Sequence, residues 1–195
     1  MKGLIQKEYY AYRLNLLWYG VFTLVFFALY AFLSPLNSFF LYYPALLFST
    51  TYVASISMDE SDHWNIYAAA LPCSRAQLVS VKFLVLLLIA CSTTLLALVA
   101  SIIRNPPHDF TVPCLMLIYF LLVGGINLFA SLKWGSRKSR IPSVILTLAA
   151  FFSLSLSSLN STSYLSFILI LTLISVLLFF LLWVLAIHTY QKRDL

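Results

Sequence analysis

The chain has 195 residues, 62% of them hydrophobic and only 9% charged, with a formal net charge of +6. So little charge, about a third of a soluble domain's share, excludes a water-soluble globular protein and makes the bilayer the expected solvent. The positive balance then reads as orientation, because Lys and Arg collect on the cytoplasmic side of membrane proteins, and nucleic acid is not an expected partner. Between Met1 and Asn15, Ile5, Tyr9 and Tyr12 lead at helical spacing to Leu16, while Lys2, Gln6 and Arg13 take the opposite face. That pattern predicts a helix lying in the headgroup layer; the plainer alternative continues it into the first span. Spans one and two follow at about 16–33 and 39–57, joined by the turn Ser34-Pro35-Leu36-Asn37.

The longest polar interruption runs over 58–82 and holds Asp59, Glu60, Asp62, Arg75 and Lys82. One acid at the centre of a spanning helix costs about 2.5–3.5 kcal/mol, so three together keep this segment out of the hydrocarbon. The acids sit where a helix N-terminus favours negative charge, and Trp64, Tyr67 and Leu71 follow as one apolar edge closed by Pro72. Ser74-Arg75-Ala76-Gln77 matches a capping box that starts a new helix. A short surface helix between two spans is either a docking element or a structured loop seated on the headgroups. Span three is predicted at about 83–103, with Ala90, Thr94, Ala97 and Ser101 as a small-residue stripe for close helix approach. Span four follows at about 113–132, a basic loop at 133–140, span five at about 141–159 and span six at about 164–188. The expected fold is all-α: one polytopic domain of six spans with both termini on the same side. That side would carry eleven bases (Lys2, Lys7, Arg13, Arg75, Lys82, Lys133, Arg137, Lys138, Arg140, Lys192 and Arg193) and the other only Arg104, which makes the shared side cytoplasmic.

Chemistry is sparse. His63, His108 and His188 lack partners at metal spacing, no G-x-S-x-G precedes a helix, and no phosphate-binding G-x-x-x-x-G-K-[ST] loop is present. The spans carry no acid to couple an ion. Cys73, Cys91 and Cys114 form no C-x-x-C pair. No enzyme activity, cofactor or metal is expected. What remains is a cytoplasmic docking segment, small-residue packing faces and no energy source, which suits a membrane subunit driven by a separate ATPase.

The run Asp59-Glu60…Trp64…Leu71-Pro72…Ser74-Arg75…Val79…Lys82 resembles the loop between the second and third spans of ABC-2-type transporter permeases. It is most similar to the small type that includes the permeases of phenol-soluble modulin exporters, with D-E…W…L-P-x-S/T-R…V-x-x-K. Lys133-Trp134-Gly135-Ser136-Arg137-Lys138 and Tyr190-Gln191-Lys192-Arg193-Asp194 fit the same type. The resemblance implies an export permease in a bacterial cell membrane. It would associate with a second permease subunit, as homodimer or heterodimer, and with cytoplasmic ABC ATPase subunits, surrounded by membrane lipid. Asp59, Glu60, Trp64, Tyr67, Leu71, Pro72 and Arg75 would form the coupling element, and Lys133, Arg137 and Lys138 a second ATPase contact. Uncharged spans favour a hydrophobic or amphipathic substrate, with Tyr52, Tyr119 and Asn127 as residues of its path. The competing class is a non-transporting anchor or immunity protein that binds a toxic peptide; co-purification of an ATPase separates the two.

Overall fold

The computed structural model describes residues 2–32, 52, 56–64, 67–68, 73–104, 111–157 and 165–192. Most of predicted span two, its preceding turn, and the loops at 105–110 and 158–164 lie outside the described residues. Among the described residues, five long helices carry the fold: α1 (Lys2–Phe32), α2 (Arg75–Arg104), α3 (Thr111–Trp134), α4 (Ser136–Ser157) and α5 (Leu165–Gln191). A shorter helical stretch spans 56–61, and no strand occurs among the described residues. Among the described residues, four helices contain segments long and apolar enough to cross a membrane: Gly3–Tyr30, Arg75–Ile103, Pro113–Trp134 and Ile170–Gln191.

α3 is the core helix. It packs against α2, α4 and α5, while α1 packs against α2. In α3, 72% of the apolar window is buried inside the chain, against 17% in α1 and α5. Gly124 and Gly125 are what let two neighbours in. A Cβ on Gly124 would stand 3.1 Å from Leu86 Cδ1 of α2, and one on Gly125 would stand 3.1 Å from Phe179 Cδ2 of α5. The stripe Ala90, Thr94, Ala97 and Ser101 is buried, whereas Leu88, Leu95, Val99 and Ile102 on the same helix are exposed and left for lipid. Thr93 and Thr94 donate to the carbonyls of Ile89 and Ala90 at 2.9 Å, so their hydroxyls are satisfied within their own turn.

Several expected boundaries move. Residues 2–15 are not a helix of their own: α1 is unbroken over 31 residues. With no proline to stop it, the helix runs on for about 46 Å at 1.5 Å per residue, well beyond a hydrocarbon core of about 30 Å. The 133–140 segment is a helix junction and not a loop, because only Gly135 separates α3 from α4. The capping box stands as expected: Gln77 N–H donates to Ser74 Oγ at 3.3 Å, and Ser74 N–H to Gln77 Oε1 at 3.2 Å. It starts α2 at Arg75, eight residues before the expected start of span three. The acids Asp59 and Glu60 lie in the last turn of the 56–61 helix and not at the start of one. Asp62 N–H donates to Met58 O at 2.9 Å, and His63, at φ 53°, ends the helix in the left-handed region.

Candidate functional site

Two acids in the last turn of a helix oppose its dipole by about 0.3–1 kcal/mol each, so each needs a cation or a donor elsewhere. The chain supplies both. Lys82 Nζ of α2 lies 2.6 Å from Asp59 Oδ2 and 3.1 Å from Glu8 Oε1 of α1. Lys7 Nζ binds the other Asp59 oxygen and stacks 4.4 Å above the Trp64 ring. Glu8 and Lys82 are almost fully buried, at 5% and 8% exposure. Burial pushes the Asp59 carboxyl up, but Lys82 and Lys7 outweigh it and hold Asp59 below the usual carboxylate range. Buried pairs of this kind stabilise little in net terms, yet removing one partner strands the other at about 3–5 kcal/mol. The cluster therefore fixes how α1, the 56–61 helix and α2 meet.

Glu60 makes the next link. Gly135 N–H donates to Ser131 O at 2.9 Å and so closes α3, while Gly135 O accepts from Ser139 N–H at 3.2 Å and opens α4. One residue thus ends one helix and begins the next, at φ 81°, a conformation suited to glycine. Glycine has no side chain to cap the free N–H groups of α4. Glu60 does this across the fold: its Oε2 accepts from Ser136 N–H at 3.1 Å and from Ser136 Oγ. At the same end, Arg75 Nη1 donates to Gln191 O at 3.2 Å, tying the start of α2 to the end of α5. The amino ends of α1, α2 and α4 and the carboxyl ends of α3 and α5 thus gather at one end of the bundle. A cavity of about 40 Å³ lies among Lys7, Glu8, Asp59, Glu60, Trp64 and Lys82, with room for water-sized ligands.

The residues proposed for a partner contact separate into two groups. Asp59, Glu60 and half-buried Trp64 are engaged within the chain, whereas Tyr67 is 65% exposed and Lys133, Arg137 and Lys138 are exposed. Arg75 is exposed and bound to α5, and Leu71 and Pro72 lie outside the described residues. Of the residues proposed for a path, Tyr52 is buried at the charged end, where its hydroxyl donates to Lys82 O at 2.7 Å. Tyr119 and Asn127 are buried on α3, about 22 and 10 Å from its charged end at 1.5 Å per residue. Glu8 was missed by the sequence reading. Its signal was its register: Leu4, Glu8 and Tyr12 fall on one buried stripe, and a charge on such a stripe needs a partner. Among the described residues, no group of three or more His, Cys, Asp and Glu side chains could hold a metal ion.

The sequence profile described as "ABC-2 family transporter protein" matches residues 3–191, nearly the whole chain. Neither a curated protein nor a solved structure matches.

Proposed function

The chain belongs to the ABC-2 transporter family, and from that premise we propose that it is the membrane permease of an exporter whose energy comes from a separate ATPase subunit. The cargo is hydrophobic or amphipathic, since the wall-forming helices offer almost no charge outside the cluster. The ATPase contact is the exposed side of 58–67 (Met58, Asp62, His63 and Tyr67) together with the basic exposed start of α4. Both lie at the end that gathers Lys7, Arg75, Arg137 and Lys138, the cytoplasmic end by the distribution of bases. One observation carries this reading: the 56–64 segment is bonded to α1 and α2 through Asp59 and to α4 through Glu60. A displacement applied to it is passed to three long helices through salt bridges and a helix cap, and through Gly135 it acts on α3.

Because Trp64 is held beneath Lys7, Tyr67 is the aromatic available as an anchor; anchors of this kind commonly lose about 2–4 kcal/mol on truncation. Tyr67→Ala should insert normally and weaken ATPase association about 30-fold, or about 2 kcal/mol. Trp183→Ala, on α5 beside Ser80, should leave association unchanged. Full ATPase binding by both Tyr67→Ala and Arg137→Glu, measured by co-purification and ATP hydrolysis, would remove this surface from the coupling role.

A further inference from the structure

A second cavity, of about 180 Å³, lies between α1 and α2 beside buried Tyr52, lined by Ile5, Tyr9, Tyr12, Leu16, Val85 and Leu88. A dry cavity of about 150 Å³ accepts a benzene ring, so this one has room for a ring or a short stretch of alkyl chain. It opens outward at Ile5, Tyr9 and Leu88, which are 39%, 54% and 61% exposed, with Gln6 and Arg13 exposed on the same turns of α1. A ligand would therefore enter from the bilayer near its boundary with water.

One lining residue does not fit an apolar groove. Glu8 borders both this cavity and the charged one. Its Oε1 is taken by Lys82, but its buried Oε2 has no hydrogen-bond partner among the described residues. A buried acceptor left unsatisfied costs about 1–3 kcal/mol, and more when charged. Glu60 is served by Ser136 at the start of α4, so among the described residues Glu8 and Asp59 share Lys7 and Lys82, and Glu8 Oε2 is the carboxylate oxygen left over. What this corner lacks is one donor to that oxygen, and a cationic donor makes the strongest such bond. Three tyrosines, Tyr9, Tyr12 and Tyr52, border the same groove, and the face of a tyrosine ring attracts a cation.

We propose that the α1–α2 groove binds a lipophilic ammonium ion, its N–H donating to Glu8 Oε2 and its apolar part lying along Tyr9, Tyr12, Leu16, Val85 and Leu88. The occupant is a single-chain or single-ring amine dissolved in the bilayer, not a phospholipid. The groove is too small for two acyl chains, and a phosphate offers no donor to Glu8 Oε2. The proposal goes beyond the export reading, because it assigns a ligand class to a groove that the coupling argument does not use.

The test uses the full-length protein in phosphatidylcholine nanodiscs, without ATP or ATPase, so that its outcome is independent of transport. The probes are dodecylammonium carrying a chain diazirine and dodecanol carrying the same group. After illumination, the ammonium probe should label residues 5–16 and 85–89, be displaced by unlabelled dodecylammonium, and exceed the alcohol about tenfold, the margin of a charge-assisted bond. Glu8→Gln should bring the ammonium probe down to the level of the alcohol. Leu88→Trp, which fills the groove without touching the ion cluster, should abolish labelling by both probes. Equal labelling by ammonium and alcohol in the wild type overturns the proposal even if Glu8→Gln does not fold. Labelling outside the groove, or labelling unaffected by Leu88→Trp, overturns it equally.

Discussion

The charged end of the bundle and its apolar middle solve the same problem, holding neighbouring helices at fixed positions, by opposite means. At the charged end, Lys82 joins Glu8 and Asp59 through long side chains that adapt to small shifts but tolerate no deletion. In the middle, Gly124 and Gly125 hold α2 and α5 by leaving space, and an added side chain there makes Leu86 or Phe179 give way. In a bilayer, apolar burial gives little preference for helix over lipid. Position must then come either from paired polar groups or from close shape, and this chain uses one at each level.

The sharpest break of that contrast is Lys82→Met. It keeps most of the side-chain volume but takes the shared cation from buried Glu8 and part-buried Asp59, leaving Lys7 alone beside them, and the expected loss is about 3–5 kcal/mol of stability. Thermal unfolding in detergent measures it, and a double-mutant cycle with Asp59→Asn should show the two changes to be strongly non-additive. Gly124→Leu tests the other region. Added volume against Leu86 should cost about 1–3 kcal/mol, whereas Gly124→Ala should cost less because the flexible end of Leu86 can move. A Gly124→Leu protein as stable as the wild type would show that shape is not what seats α2.

The smallest effect is pH dependence, and it belongs to one region alone. Asp59 is held below its unfolded value, which is about 3.9. Its contribution to stability is complete above that value and is lost as the pH falls through its lower folded value. Melting temperature should therefore drop as the pH is lowered below about 4. Asp59→Asn should flatten that part of the profile, while Gly124→Leu should leave its slope unchanged.

Features fixed by neighbouring residues were legible in the sequence. The capping box at Ser74–Gln77 and the stripe from Ala90 to Ser101 depend only on local spacing, and both take the expected form. Of the six expected spans, one, three, four and six match helices long and apolar enough to cross a membrane, and the family was legible from the motifs around Asp59 and Lys133. Roles fixed by distant residues were not. Asp59 and Glu60 look like the start of a helix because acids favour such starts; they end one instead, since Lys7, Lys82 and Ser136 offset the unfavourable dipole. Glu8 was overlooked because its partner lies 74 positions away. The junction at Gly135 was read as a loop because a run of bases usually marks one, whereas here the exposed bases lie on the first turn of α4.

The cap that Glu60 provides to Ser136 also has a consequence in time. The two residues are 76 positions apart, so at 5–20 residues per second the carboxylate leaves the ribosome about 4–15 s before its donor exists. Throughout that interval Glu60 is an acceptor that water must serve, while α2 and α3 are still being made. The second half of the chain is thus registered against the first by a contact that can close only after Ser136 has been made.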